Sequence, residues 1–181
     1  MDSPAEARAP GPVLVLIGPM GVGKSTVGRL LAQRLGVGFV DGDEVVVERD
    51  GRAISDIFVD EGEPYFRSLE REVTLELLQT HDGVLALGGG APMQEEIGAA
   101  LAVRMVVFLD VGIADAAKRI GFDTSRPLLA VNPRATWIAM MGARRGTYEG
   151  LARWRVDTAG RAAEDIVDEI AALLAGERDP S

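Results

Sequence analysis

Short apolar runs alternate with longer amphipathic stretches along the chain, and the two patterns predict different elements. Runs rich in Val, Ile and Leu are typical of buried parallel strands, and they occupy residues 13–17, 37–41, 83–87, 105–110 and 154–158. Apolar residues repeated every three or four positions predict helices at residues 25–35, 43–61 (two pieces divided at Gly51), 63–80, 94–101, 113–120, 135–153 and 162–174. Strands that alternate with helices predict an α/β fold, in which right-handed crossovers build a parallel sheet.

The bulk composition fits one compact domain with a buried core. The chain has 181 residues, 47% of them hydrophobic, and we find no internal repeat and no linker. Residues 1–12 are rich in Pro and Ala and lack the apolar stretch of a signal peptide, so they predict a flexible tail, and residues 177–181 predict a second short tail. No apolar run has the length of a membrane span, so we expect no membrane association.

Charge and cysteine content narrow the classes of function. The net charge of -9 at pH 7 argues against a nucleic-acid-binding surface, which would be basic. The same charge means that an anionic ligand must be attracted by a local basic pocket. The chain has no cysteine, which excludes disulfides and cysteine metal sites and is compatible with the cytoplasmic location that we expect.

The stretch GPMGVGKST, residues 18–26, lies between the first predicted strand and the first predicted helix. Its spacing, G-x-x-x-x-G-K-S, is that of a phosphate-binding loop (P-loop), in which backbone N–H groups and the helix N-terminus surround a polyphosphate. We expect Lys24 to reach the β- and γ-phosphates and Ser25 to bind Mg²⁺. The motif alone does not separate a kinase from a nucleotide-dependent switch. The loop residues expected to contact the nucleotide are Gly21, Val22, Gly23, Lys24, Ser25 and Thr26.

Two carboxylates, Asp41 and Asp43, follow the second predicted strand. Residues i and i+2 of an extended segment point the same way, so we expect both side chains to face one cavity beside the P-loop. One of them can hold Mg²⁺ through its water shell, and the other can orient a substrate hydroxyl toward the γ-phosphate and accept its proton. The alternative interpretation is an Asp-rich surface turn.

Arginines recur in three later segments. Arg67 lies one turn into a predicted helix, Arg126 lies in a predicted loop, and Arg144 and Arg145 lie in a helix that ends near Tyr148. Each position alone has a simpler explanation: surface ion pairs for Arg67, a mobile surface loop for Arg126, and a basic helix end for Arg144 and Arg145. Together with a P-loop, they supply bidentate donors for a substrate carboxylate and for a transferring phosphate.

Three consecutive glycines, Gly88, Gly89 and Gly90, follow the third predicted strand directly. Such a run reduces stability through chain entropy, and a simple turn needs only one glycine. We therefore expect the backbone to approach a ligand here with no side chain between them. The alternative interpretation is a wide turn.

These motifs, taken in order, resemble the shikimate kinase family. GPMGVGKST, DGD, GEPYFR, GGG, SRPLL and the R-x-x-Y of Arg145 and Tyr148 occur in the order and approximate spacing of that family. The resemblance implies a three-layer α/β/α P-loop kinase domain over residues 13–176, with a five-stranded parallel sheet and a mobile lid at about residues 121–134. It also implies a monomer that transfers the γ-phosphate of ATP to the 3-hydroxyl of shikimate, in the route to aromatic amino acids.

The resemblance implies a role for each matching position. Lys24 and Ser25 match the residues that bind the nucleotide and Mg²⁺, and Asp41 matches the aspartate associated with Mg²⁺. We expect one Mg²⁺ ion per subunit. Asp43 matches the residue that binds the shikimate hydroxyls and is the candidate base, so Lys24, Asp43 and the lid arginine are the expected catalytic residues. The other matches are the substrate carboxylate pair (Arg67 and Arg145), the backbone contacts to the substrate (Gly88, Gly89 and Gly90), the lid arginine that reaches the phosphates (Arg126) and the arginine near adenine (Arg119).

Four other interpretations are compared with the sequence. A gluconate kinase carries a similar D-G-D element followed by His-Pro, whereas here Asp43 precedes Glu44 and Val45; a nucleotide kinase shares the loop and the fold. A GTP-dependent switch needs an Asn/Thr-Lys-x-Asp guanine reader, but the only lysine besides Lys24 is Lys118, in AAKRI. A catalytically silent relative is expected to lack Asp43 or Lys24, and both are present. We therefore expect phosphorylation of shikimate, with another small-molecule P-loop kinase or a silent nucleotide-binding relative as the alternatives.

Overall fold

The computed structural model of the chain describes residues 10–120 and 132–178. The strands are β1 (Leu14–Ile17), β2 (Phe39–Asp41), β3 (Val84–Ala86), β4 (Val106–Asp110) and β5 (Trp154–Asp157). The helices are α1 (Lys24–Leu35), α2 (Gly42–Asp50), α3 (Ile54–Glu61), α4 (Glu63–Thr80), α5 (Glu95–Leu101), α6 (Ile113–Ile120), α7 (Pro133–Leu151) and α8 (Ala163–Arg178), with a short 3₁₀ helix at Ala91–Met93.

The five strands form one parallel sheet with the order β2-β3-β1-β4-β5. The central strand β1 pairs on both sides, so that Val15 lies opposite Leu85 of β3 and Val106 of β4. Helices flank the sheet in a three-layer arrangement, and the predicted α/β fold with a five-stranded parallel sheet is confirmed. The carboxyl ends of all five strands point to the same edge, where ligands bind in such sheets.

The sheet core explains why the strands are recognisable as continuous apolar runs. Every residue of β1 and β4 is buried, because helices cover both faces of a parallel sheet. A second, smaller core lies outside the sheet, among α2, α3 and α4, and packs the tilted rings of Phe58 and Phe66 at 4.8 Å between centroids. The main members of this helical core are Val46, Ile57, Phe66 and Val73.

Element ends differ from the sequence expectation by a few residues. The division at Gly51 is confirmed, because α2 ends there in a left-handed conformation with φ 86°. Helix α7 begins at Pro133, two residues earlier than expected, because the Asn132 side chain accepts a hydrogen bond from the backbone N–H of Ala135 at 3.4 Å. Such side-chain capping sets a helix start where apolar periodicity is uninformative.

The packed structure extends a few residues beyond the expected domain limits, residues 13 and 176, at both sides. Gly11 and Pro12 are buried, and Arg104 donates a hydrogen bond to the Pro10 carbonyl at 2.8 Å. Helix α8 continues to Arg178, beyond the expected helix end at residue 174 and the expected domain end at residue 176. Most of the expected lid, including Arg126, lies outside the described residues. Within the described part of the chain, no helix combines the length and the apolar character needed to cross a membrane.

Candidate active site

The P-loop connects β1 to α1 at the edge of the sheet. Gly18 has φ 147°, and a Cβ at this position would lie 2.4 Å from the Leu109 carbonyl oxygen, so both the conformation and the space require glycine. Gly23 caps α1 in the left-handed region with φ 94°. The Lys24 ammonium folds over the loop and donates to the carbonyls of Gly18 at 2.7 Å and Pro19 at 2.9 Å. These two bonds hold the ammonium group of Lys24 against the P-loop.

A cavity of about 450 Å³ opens above this loop. We call it the nucleotide cavity, because it combines the helix N-terminus, the lysine and the loop backbone that favour a polyphosphate. Val22 does not line it, since its side chain is buried in the core and only its carbonyl takes part in the site. The predicted residues that do line it are Gly21, Gly23, Lys24, Ser25, Thr26, Asp41 and Arg119.

Ser25 and Asp41 are in direct contact at the lining of the nucleotide cavity. The Ser25 hydroxyl donates a short hydrogen bond to Oδ2 of Asp41, and Oδ1 of Asp41 accepts from the backbone N–H of Asp43 at 2.9 Å, which caps α2. A hydroxyl and a carboxylate oxygen suit Mg²⁺, which keeps several waters and binds substrate phosphates. The described residues contain no cluster of three or more His, Cys, Asp or Glu side chains arranged for a metal ion. The donors present therefore fit Mg²⁺ held jointly with a nucleotide.

Arg119 lies at the edge of the nucleotide cavity, as predicted. Its guanidinium donates to the Val22 carbonyl at 2.7 Å, to the Thr158 carbonyl at 2.9 Å and to the Thr158 hydroxyl at 3.1 Å. These bonds tie α6 to the P-loop and to the segment after β5. They hold the flat guanidinium beside the cavity, where it can stack on a base.

A second cavity of about 430 Å³, which we call the substrate cavity, adjoins the nucleotide cavity. The two cavities share Met20, Asp43, Gly88 and Gly89 as lining residues. One wall is apolar and is formed by residues of the P-loop and of the α2–α4 core, namely Met20, Val47, Ile54, Phe58 and Phe66. The other wall is charged and carries Asp43, Arg67, Glu70 and Arg144. A ring that bears a carboxylate and hydroxyls matches this division into an apolar wall and a charged wall.

Asp43 lies at the boundary of the two cavities. Burial, together with the nearby carboxylates of Asp41 and Glu70, raises its pKa from 3.8 to about 6, although the cations Lys24 and Arg67 act in the opposite direction. A carboxylate with a pKa close to neutrality binds a proton more readily than an ordinary aspartate does. The position and the pKa of Asp43 both suit a general base.

Arg67 is held beside the substrate cavity by Glu63 and Glu70, which the sequence places near it, and by Gln94, which the sequence does not indicate. Its Nη1 donates to Glu70 Oε1 at 2.8 Å, and its Nε donates to Glu63 Oε1 at 3.3 Å. The Gln94 amide donates to the same Glu70 oxygen at 3.0 Å and to the Arg67 carbonyl at 3.1 Å. Glu70 was recognisable as an i,i+3 partner of Arg67. The contact with Gln94 depends on the packing of distant segments.

The triple glycine is explained by the side chains around it. A Cβ on Gly88 would lie 2.6 Å from Asp43 Oδ1, and a Cβ on Gly90 would lie 2.4 Å from Arg67 Nη1. A Cβ on Gly89 would lie 3.3 Å from Arg144 Nη1. Gly90 has an ordinary φ of -89°, so space rather than conformation requires its glycine. The run leaves room for three charged groups to converge on the substrate cavity.

Arg145 requires a correction, because the structure does not bring it to this cavity. Its guanidinium pairs with Asp110 at the end of β4, with Nη1 to Oδ2 at 2.8 Å and Nη2 to Oδ1 at 3.0 Å. The adjacent Arg144 lines the substrate cavity instead. Consecutive residues of a helix leave it about 100° apart, so two neighbouring arginines cannot serve the same pocket equally.

The position of Tyr148 on α7 helps to explain why Arg144 and Arg145 point to different places. Its hydroxyl donates to the Gly89 carbonyl at 2.5 Å, which places this face of α7 against the substrate cavity. Arg144 precedes Tyr148 by four residues and lies about 40° from it around the helix, whereas Arg145 precedes it by three and lies about 60° away on the other side, where it pairs with Asp110 of the sheet. Burial raises the pKa of the Tyr148 hydroxyl, and the nearby positive charge of Arg144 opposes this rise without cancelling it.

Comparisons with known proteins agree with this geometry. The family model described as "Shikimate kinase" matches residues 20–175. A shikimate kinase of Streptomyces coelicolor is 54% identical over 155 residues, which cover 86% of this chain and 91% of that protein. The structure of a shikimate kinase from Acinetobacter baumannii in complex with shikimate matches with a TM-score of 0.90 and 36% identity, over 94% of this chain and 96% of that one.

A gluconokinase from Sinorhizobium meliloti is also similar in structure, with a TM-score of 0.57 over 93% of this chain and 94% of that one. Its sequence identity is 21%, so this likeness concerns the fold alone. The relatives that match in sequence and in structure carry one and the same description. The chain belongs to the shikimate kinase family.

Proposed function

We propose that the two joined cavities bind ATP and shikimate side by side, with Asp43 acting at their boundary. As a member of its family, the chain catalyses the ATP-dependent phosphorylation of shikimate. The observation that supports the assignment of the site is that Asp43, Gly88 and Gly89 line both cavities. A phosphoryl acceptor and a phosphoryl donor must meet at such a point.

The substrate cavity suits shikimate through its two unlike walls. The apolar wall packs against the ring, while Arg67 and Arg144 supply guanidinium groups for the carboxylate. Arg144 replaces Arg145 in this role, because only Arg144 lines the cavity. Glu70 keeps Arg67 in place, and its negative charge disfavours a second anion at that end of the cavity.

The nucleotide cavity is proposed to hold the phosphates of ATP together with one Mg²⁺ per subunit. Ser25 would bind the ion directly, and Asp41 would hold it through water. When bound, Mg²⁺ supplies positive charge that neutralises the β- and γ-phosphates. Lys24 adds a second positive charge, exchanging its bonds to the Gly18 and Pro19 carbonyls for phosphate oxygens.

The transfer step follows from the position of Asp43. Its carboxylate accepts the proton of the 3-hydroxyl while that oxygen bonds to the γ-phosphorus, the bond from this phosphorus to the bridging oxygen breaks, and ADP leaves. Most of the acceleration comes from positioning and from fixed positive charge. The proposed contribution of Arg126 concerns a residue outside the described part of the chain and stays a prediction.

We also propose that the working unit is a monomer in the cytoplasm. One copy of the chain supplies the P-loop, Asp43 and both candidate arginines to the joined cavities, which supports a site formed within one subunit. The cytoplasm supplies ATP and Mg²⁺ to biosynthetic kinases. Size-exclusion chromatography with light scattering tests the first point, and a dimer whose dissociation abolishes activity would contradict it.

A coupled ADP-release assay tests the proposed substrate and residues together. We expect turnover with shikimate, none above background with gluconate or nucleoside monophosphates, and loss of turnover when Mg²⁺ is chelated. Arg67→Ala and Arg144→Ala are each expected to raise the KM for shikimate about tenfold or more, with the KM for ATP within about twofold of the starting value. If either variant raises the KM for ATP instead, that arginine does not bind the shikimate carboxylate.

A further inference from the structure

A buried acidic group with two arginine partners lies outside both cavities. Asp110 ends β4 and is 4% exposed. Its carboxylate accepts two hydrogen bonds from Arg145 of α7, and its Oδ2 also accepts from Arg155 Nε of β5 at 2.8 Å. Burial raises the pKa of Asp110, but the bonds and charges of the two arginines outweigh this and hold the pKa below its ordinary value. Asp110 is therefore ionised at neutral pH.

The ion pair between Asp110 and Arg145 connects α7 to the sheet directly beside Arg144. Arg145 directly follows Arg144, so any rotation of α7 that breaks the pair with Asp110 also swings Arg144 away from the substrate cavity. Tyr148, one turn further along α7, is fixed by its bond to the Gly89 carbonyl. Arg144 therefore has two anchored residues close to it on α7, Arg145 and Tyr148.

We propose that Asp110 and Arg145 form a positioning pair, which sets the rotation of α7 so that Arg144 points at the substrate carboxylate. Neither residue contacts the substrate. The pair acts on substrate affinity through Arg144, and the inference rests on the role of Arg144 in the proposed function. A bidentate pair suits this task, because two parallel hydrogen bonds fix an orientation as well as a distance.

Arg155 provides a matched control for this pair. It bonds to the same carboxylate oxygen as Arg145, but it belongs to β5 and has no contact to α7 among its hydrogen bonds and ion pairs in the described structure. Replacing either arginine leaves Asp110 with one cationic partner. Both variants weaken the charge pairing of Asp110, but only the Arg145 variant also releases α7.

The experiment measures steady-state kinetics for Arg145→Ala, Arg145→Lys, Arg155→Ala, Arg144→Ala and the double variant of Arg144 and Arg145. We expect Arg145→Ala to raise the KM for shikimate about five- to tenfold with the KM for ATP unchanged, and Arg155→Ala to change neither by more than about twofold. Arg145→Lys should recover part of the affinity, since a lysine still pairs with Asp110 as a point charge.

The double variant decides whether Arg145 acts through Arg144. We expect its KM for shikimate to equal that of Arg144→Ala within about twofold, because Arg145 has nothing left to position. Full multiplication of the two single effects would overturn the proposal, and so would an Arg155→Ala effect as large as that of Arg145→Ala. If Arg144→Ala has no effect while Arg145→Ala has a large one, Arg145 binds the carboxylate itself, and the assignment of Arg144 in the proposed function fails as well.

Discussion

Replacing Asp43 by Asn is expected to stabilise the folded protein while it slows the reaction. Asp43 is a half-buried carboxyl near two other carboxylates, and its pKa rises from 3.8 to about 6 in the folded state. A group that resists ionisation in this way lowers the stability of the fold wherever the pH forces it to ionise. An amide of the same shape carries no charge at any pH, so it removes this cost.

The magnitude follows from the two pKa values. Below about pH 4 the carboxyl is largely protonated in both states and contributes little. As the pH rises from 3.8 to about 6, the unfolded chain releases the proton and the folded chain keeps it, so the free energy of unfolding falls. Above about 6 both states are ionised and the cost is constant at about 3 kcal/mol, since one pKa unit corresponds to about 1.4 kcal/mol. Asp43→Asn should recover about this amount.

Urea unfolding at two pH values tests this reasoning. At about pH 8 we expect Asp43→Asn to raise the free energy of unfolding by about 3 kcal/mol, and at about pH 4 by about 0.5 kcal/mol. In a thermal scan the gain at the higher pH corresponds to about 6–12 °C in Tm. The kcat of the variant should fall about 100- to 10,000-fold, because the base is lost.

The control variant is Glu48→Gln, an exposed carboxylate on the same helix α2. It makes the same chemical change without the burial, and we expect less than about 0.5 kcal/mol at either pH. An equal gain for Asp43→Asn at both pH values would refute the link between its stability effect and its ionisation. A loss of stability at the higher pH would refute the raised pKa itself.

Three further predictions concern the site. With saturating Mg²⁺ and ATP, kcat/KM for shikimate should fall about tenfold per pH unit below about pH 6, because Asp43 is then protonated; a profile that stays flat to about pH 5 would exclude it as the base. Gly90→Ala should raise the KM for shikimate about tenfold, because its Cβ would meet the Arg67 guanidinium, and a KM change for ATP alone would contradict this reason. Ser25→Ala should increase the Mg²⁺ concentration needed for half-maximal activity about tenfold or more, as followed by a metal titration; an unchanged titration would remove Ser25 from the metal site.

Most of the fold was predictable because its strands are buried on both faces. Such strands are continuous apolar runs, and the two helices with the clearest periodicity, Glu63–Thr80 and Ile113–Ile120, have the predicted bounds. Helix ends set by side-chain caps, as at Asn132, were less well predicted. The strand order β2-β3-β1-β4-β5 did not follow from the pattern, since any order of these apolar strands satisfies the same periodicity.

The site was predicted best where the residues are close together in the sequence. The P-loop, Asp41 and Asp43 lie at the ends of two strands of one sheet, and the sheet edge brings them together. The R-x-x-Y spacing indicates Arg145, because a sequence motif does not show on which side of the helix each arginine lies. Gln94 carries no sequence signal at all, since its partners Arg67 and Glu70 lie in a distant segment.

The sequence alone determined the chemistry that is available: a phosphate loop with its lysine, two aspartates after a strand, and a glycine run without side chains. These are local features, and backbone conformation and short spacing are enough to specify them. The tertiary structure alone decided which charged groups meet. Burial and neighbouring carboxylates, not residue type, give Asp43 its pKa near 6. The rotation of α7, which is held at Asp110 and at the Gly89 carbonyl, places one arginine of an adjacent pair at the cavity and the other at the sheet.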